Sequence, residues 1–210
     1  IMGYLYMLED GFEDMDNETV RNMLGAIRRS SNRLSHLIEN YIAYGQIQLI
    51  GNDPDIMEKI RAFSILKDFE SLISEQAERA AYEADRMDDL IVQVESANVH
   101  LFFDHGKKLV SEIFGNAFKF SKKGTPVTIS TRIEDNHYML SVINEGRGMT
   151  AEQIADINAN NQFERAKFEQ QGAGLGLVIA QKILEIHEGE LIIESEPDAW
   201  TTVHMLIKLA

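Results

Sequence analysis

Glu112, Asn116, Lys119 and Phe120 follow one another at spacings of four, three and one in an apolar-patterned stretch. On a helix, residues three and four apart share a face, so a carboxylate, an amide oxygen, an ammonium and an aromatic plane would converge there. That set suits a magnesium nucleotide. Oxygens ligate a hard cation, a lysine meets phosphate, and an aromatic face covers a base. The same four residues on a solvated helix edge would read alike, so the motif needs company.

Two glycine clusters supply it. Asn144-Glu145-Gly146-Arg147-Gly148-Met149 follows a strand-like run, and missing side chains there would let backbone approach a planar ligand closely. Gly172-Ala173-Gly174-Leu175-Gly176-Leu177 leads into an apolar helical pattern, whose free N-terminal amides can receive phosphate oxygens. Either cluster alone is more often a turn. The chain carries a net charge of -14, yet Lys119, Lys122, Lys123, Arg147, Arg165 and Lys167 gather around these clusters, as an anionic ligand would require.

With the three clusters in this order, the sequence resembles the histidine-kinase branch of the ATPase superfamily that also contains DNA gyrase B and a major heat-shock chaperone. Glu112 to Ser121 (EIFGNAFKFS) is similar to that family's asparagine box, Val142 to Met149 (VINEGRGM) to its first glycine box, and Gly172 to Leu177 (GAGLGL) to its second. Phe163-Glu164-Arg165 is similar to the phenylalanine box of the lid over ATP, and Ser31-x-Arg33-Leu34 to the second helix of the dimerisation domain. The wording GRGMTAEQI, QFER and EQQG most resembles kinases that can carry a fused receiver domain.

The resemblance implies that ATP and Mg²⁺ are bound, with Asn116 on the metal, Lys119 on phosphate and Phe120 against adenine. It also implies that Asn144, Gly146, Gly148 and Met149 shape the base pocket. Gly172, Gly174, Leu175, Gly176 and Leu177 would form the phosphate loop, and Arg165 would reach in from the lid. Glu112 stands where other branches keep a water-activating carboxylate, and is assigned a supporting role in acid/base or metal organisation. The implied reaction passes the ATP γ-phosphate to a histidine, and from there to an aspartate on a response-regulator receiver domain.

Two departures stand out. The acceptor histidine is expected upstream of residue 1; His187-Glu188 lacks the proline of an acceptor motif, and His36 reads as a spacer beside an apolar stripe. Asn144 replaces the aspartate with which the family accepts a hydrogen bond from the adenine amino group. Losing the charge should cost about 1 kcal/mol of base recognition, and an amide can flip to receive guanine.

These residues need elements to hold them. Asp16 to Leu49 reads as a long amphipathic helix with apolar positions at Val20, Met23, Leu24, Ile27, Leu34, Leu37, Ile38, Tyr41 and Ile42, capped by Asp16 or Asn17. With Ile1 to Leu8 it makes a helical segment that would dimerise into a four-helix bundle. Gly51-Asn52-Asp53-Pro54 is the clearest breaker, so residues 1-50 are assigned to this dimerisation segment and 51-210 to the ATP-binding domain.

Beyond the breaker, helices are expected near Leu66 to Glu83, at about Lys107 to Phe120, after the hairpin that follows, and, beyond a loop, from near Gly174. Strands are expected at Leu90 to Val94, Leu101 to Phe103, Val127 to Thr131, Tyr138 to Ile143, Leu191 to Ile193 and Thr202 to Leu209, with Asp135-Asn136 as a hairpin turn. The mixture predicts an α+β fold, one mixed sheet with helices on one face.

The totals exclude several classes. No cysteine is present among 210 residues, which removes disulfides and thiolate metal sites and suits a reducing cytoplasm. The acidic balance argues against nucleic acid, and no apolar run approaches the ~20 residues of a membrane helix. Rival readings are a nucleotide-binding regulatory module or phosphatase without autokinase activity, and a gyrase-like or chaperone-like ATPase.

Overall fold

A computed structural model describes residues 2–12, 15–158 and 174–210. The chain divides into two compact units, Ile1–Gly45 and Gln46–Ala210.

The first unit is helical, built from α1 (Met2–Gly11) and the greater part of α2 (Asn17–Gly51). Asp16 caps α2: the Thr19 N–H donates to Oδ1 at 2.8 Å and the Thr19 hydroxyl to Oδ2 at 2.7 Å. These bonds favour the carboxylate and hold Asp16 below its ordinary range. The apolar stripe of α2 stays open, with Leu24, Leu34, Ile38 and Ile42 each more than half exposed. His36 is also exposed.

After the end of α2, the second unit continues with a helix that the breaker concealed. Asp53 accepts from the Asp55 and Ile56 amides, both at 3.1 Å, and Pro54 stands at the first position of α3 (Pro54–Phe63). A proline at N1 is pre-shaped for a helix and loses no needed N–H, so the same tetrapeptide ends one helix and starts another.

There follow α4 (Phe69–Glu83), β1 (Leu90–Gln93), α5 (Phe103–Phe120), β2 (Val127–Glu134) and β3 (His137–Glu145). After these come α6 (Ala151–Asn158), α7 (Gly174–Ile186), β4 (Glu190–Glu196) and β5 (Trp200–Lys208). The strands form one sheet in the order β1-β2-β3-β5-β4, with β1 parallel to β2 and the other pairs antiparallel. β2 and β3 meet at Asp135-Asn136, both at positive φ (45° and 64°), as a tight two-residue hairpin turn requires.

Period-two burial shows which face is covered. Val127, Ile129, Tyr138, Leu140, Val142, Val203, Met205 and Ile207 are buried with Phe69, Ile73, Leu109, Phe114, Ile179 and Ile183 from α4, α5 and α7. Between them Thr128, Ser130, Ser141 and His204 are only partly covered. This is the α+β arrangement expected, a mixed sheet with helices on one face.

One expected strand does not form. Leu101 to Phe103 looked like a short apolar strand, but Val99 carries the β contacts there, as isolated bridges to Leu66 and Leu209. Leu101 is a buried loop residue, and Phe103 already opens α5. The Gly106 N–H donates to the Phe102 carbonyl at 2.8 Å, and a Cβ on Gly106 would stand 2.9 Å from Leu66 Cδ2. Tight packing of this first turn draws the helix start four residues ahead of the expected Lys107. The helix expected from Leu66 likewise starts later, at Phe69.

Candidate nucleotide site

A cavity opens between α5, α6, α7 and the sheet. α5 contributes Ile113, Asn116, Ala117 and Phe120, while β3 contributes Val142 and Asn144. Inward residues of β3 alternate, which puts Asn144 on the same side as Tyr138, Leu140 and Val142, only 6% exposed. Gly148, Met149 and Leu177 complete the part foreseen in the sequence.

Asn116 holds the junction between cavity and helix end. Its Nδ2 is buried without a partner, and a Cβ on Gly176, in the first turns of α7, would stand 3.6 Å from it. A buried amide left unmatched is costly, so this group is set to meet something from outside the chain. The same imaginary Cβ on Gly176 would overlap Glu112 Oε2. Only glycine lets α7 come this close to α5.

Glu112 is 5% exposed and bound by the Lys108 ammonium at 2.7 Å. It sits beneath α7 and does not line the cavity. Lys119 is exposed, its Nζ 4.8 Å from the Phe120 ring centroid, a cation–π distance.

The first glycine box is stitched to the end of α5. The Arg147 N–H donates to the Phe120 carbonyl at 3.0 Å and the Gly146 N–H to the Ala199 carbonyl at 3.0 Å. A Cβ on Gly146 would overlap the Phe120 carbonyl oxygen. Gly148 has φ +62°, and a Cβ there would overlap the Glu196 carbonyl oxygen. Both glycines are therefore demanded by backbone contact.

Gly174 opens α7, Leu175 is half-buried, Gly176 is buried and Leu177 is 6% exposed. Arg165, Gly172 and the expected phenylalanine box lie outside the described residues.

Sequence reading missed the far wall. Thr201 and Val203 of β5 and Gln153 and Ile157 of α6 also line the cavity. Thr201 is there because it pairs with Asn144 across the β3–β5 ladder, a register between strands more than fifty residues apart. Its hydroxyl lies 2.9 Å from Ser195 Oγ, which donates to the Trp200 carbonyl at 2.6 Å and accepts from the Met149 N–H at 2.8 Å.

Arg86 was also missed. It is 6% exposed and donates to the carbonyls of Phe118 (2.9 Å), Lys122 (2.7 Å) and Thr125 (3.0 Å), to Ser121 Oγ (2.5 Å) and to Asp89 (2.6 Å). One guanidinium thus fixes the end of α5 and the turn after it, and with them the Phe120 wall. Five donors in a rigid fork make this an arginine's task.

His187 is no exposed nucleophile. It is 2% exposed, with Nε2 2.9 Å from His105 Nδ1. Burial foremost, then the neighbouring His105, Arg61 and His100, push its pKa down to about 3.

Residues 104–210 match the family model described as histidine kinase-, DNA gyrase B- and HSP90-like ATPase, and the chain belongs to this family. It is 26% identical over 211 residues to the sensor histidine kinase YvrG of Bacillus subtilis, covering 99% of this chain and 35% of that protein. It is 37% identical over 103 residues to sporulation kinase C of the same organism, covering 49% of this chain and 23% of the relative. The chain thus spans about a third of the relative it matches end to end.

Among solved structures, the histidine kinase AdeS of Acinetobacter baumannii superposes with a TM-score of 0.65 at 19% identity, covering 99% of this chain and 92% of that one. The mycobacterial sensor histidine kinase MprB gives 0.57 at 22%, covering 70% and 98%. Both share the fold. No helix among the described residues is long and apolar enough to cross a membrane.

Proposed function

We propose that the chain is the nucleotide-binding part of a two-component protein-histidine kinase. It would bind ATP in the cavity bounded by Asn116, Phe120, Asn144, Met149 and Leu177 and present the γ-phosphate for transfer to a histidine, leaving ADP. The observation that carries this reading is the unmatched buried amide nitrogen of Asn116, a donor lining an otherwise largely apolar cavity beside the first turns of a glycine-opened helix. A purine fits the apolar part, and phosphate suits the start of α7, whose first amides have no partner within the helix.

Mg²⁺ would be held through the Asn116 amide oxygen with phosphate oxygens and water, since this cation keeps several non-protein ligands. When bound it would neutralise charge on the phosphates. Lys119 would meet phosphate, and Glu112, held by Lys108 under α7, would set the height of the phosphate loop. Arg165 and Gly172 are assigned to the lid and loop by resemblance alone.

For the longer protein the proposal includes an acceptor histidine upstream of residue 1 and onward transfer to a response-regulator aspartate. It also includes homodimerisation through residues 1-50, for which the open stripe of α2 supplies an apolar face, with 51-210 as the ATP-binding domain. A cytoplasmic location suits ATP as the substrate.

The test is calorimetric titration with a nonhydrolysable ATP analogue, with and without Mg²⁺, beside Asn116→Ala. Magnesium-dependent binding that the variant loses by tenfold or more is expected. No binding at millimolar nucleotide would replace the kinase with a regulatory module that keeps only the fold.

A further inference from the structure

The polar side chains lining the cavity among the described residues are Asn116, Asn144, Arg147, Gln153 and Thr201, and no carboxylate is among them. Arg147 is exposed at the mouth. Among the described residues, a base lying on the inner wall therefore meets neutral amides and a hydroxyl, with no fixed negative charge to demand an amino group. The carboxylate of Glu112 is engaged by Lys108 and packed against Gly176, away from this wall.

Thr201 and Asn144 face each other across the β3–β5 ladder. The direction of the Thr201 hydroxyl follows from its neighbours. A carbonyl only accepts, so the 2.6 Å contact from Ser195 Oγ to the Trp200 carbonyl uses the Ser195 proton. Ser195 must then accept at its 2.9 Å contact with Thr201, and Thr201 must donate. What Thr201 has left for the cavity is a lone pair, an acceptor fixed by the protein.

The Asn144 amide is different. It is 6% exposed and makes no hydrogen bond among the described residues, so either its oxygen or its NH₂ can be turned to a ligand at little cost. A 6-aminopurine offers a donor at position 6 and an acceptor at N1. A 6-oxopurine offers the reverse, an acceptor at position 6 and a donor at N1. The 6-amino group carries two hydrogens, one for the Asn144 oxygen and one for the Thr201 acceptor, whereas a 6-oxopurine takes the Asn144 NH₂ at position 6 and gives its N1–H to Thr201.

Resting on the nucleotide reading above, we propose that the site binds 6-aminopurine and 6-oxopurine nucleotides with comparable affinity, Asn144 reading position 6 in either orientation. A fixed buried donor or acceptor rejects the wrong partner strongly because a polar group is left unpaired. An amide that turns over leaves none unpaired.

The experiment is isothermal titration of the chain with Mg-ADP and Mg-IDP, which differ at position 6 and N1 only, repeated on Asn144→Asp. The two dissociation constants are expected within about tenfold of each other in the unaltered chain. The aspartate, which only accepts, is expected to weaken IDP by at least about tenfold relative to ADP. ADP binding with IDP more than about a hundredfold weaker in the unaltered chain would overturn the inference and leave the nucleotide site standing. Binding of neither would overturn both. An unchanged ADP/IDP ratio in the variant would remove Asn144 as the reader.

Discussion

Lowering the pH should destabilise the second unit through His187 before most carboxylates titrate. Its ring is 2% exposed, its Nε2 is shared with His105, and its Nδ1 has no partner. Burial, then His105, Arg61 and His100, depress its pKa from 6.5 to about 3. The unfolded chain takes up this proton near 6.5, and the folded chain refuses it until about 3. Between those values the unfolded state binds more protons, so the contribution is whole above 6.5 and declines as pH falls.

The slope is about 1.4 kcal/mol per pH unit, so at pH 4.5, two units below the unfolded value, ~2.7 kcal/mol is lost. Burial also lowers His105, which acts in the same direction. Urea unfolding followed by fluorescence of Trp200, the only tryptophan, reports on the second unit because this residue starts β5. Measured at pH 7.5 and 4.5, the loss in stability is expected to exceed that of His187→Gln by about 2 to 3 kcal/mol. Carboxylates common to both proteins cancel in this difference. Equal losses, within about 0.5 kcal/mol, would refute the account.

Gly176→Ala should abolish nucleotide binding and destabilise the unit by about 2 to 4 kcal/mol, because the new methyl overlaps a carboxylate that Lys108 holds in place. Urea melts beside ADP titration read both effects, and a variant that binds normally would show that α7 does not need this close approach. Arg86→Met should cost about 3 kcal/mol or more by leaving the carbonyls of Phe118, Lys122 and Thr125 without their charged donor. Nucleotide affinity should fall with it as the Phe120 wall loosens, and intact affinity in a folded variant would separate the two. With the Asn116→Ala and Asn144→Asp titrations, these cover both ends of the cavity.

Local rules carried the sequence a long way. Asp135-Asn136 specified a hairpin because both residues tolerate positive φ. The spacing of Asn116 and Phe120 put both on one face of α5 because a helix repeats every 3.6 residues. Gly146 and Gly148 read as room for a planar ligand, and the structure sets both against the chain's own backbone; Gly176 read as part of a phosphate loop, and it is also where α7 clears Glu112 of α5. Leu101 to Phe103 misled because three apolar residues suit a buried strand as well as the entry to a helix, and the contact of Gly106 with Leu66 decided between them.

Tertiary structure alone brought Thr201 opposite Asn144, seated Ser195 to turn the Thr201 hydroxyl, and closed Arg86 over the end of α5. It also placed Glu112 beneath α7 and not in the cavity. Each of these joins segments distant in sequence through strand register or helix packing, and neither is written in local composition. The sequence by itself determined most of the elements, the family and the motif side of the cavity, since these follow from short-range periodicity and motif order. Which hydrogen-bonding group each of those residues has left to offer was decided only when the sheet closed.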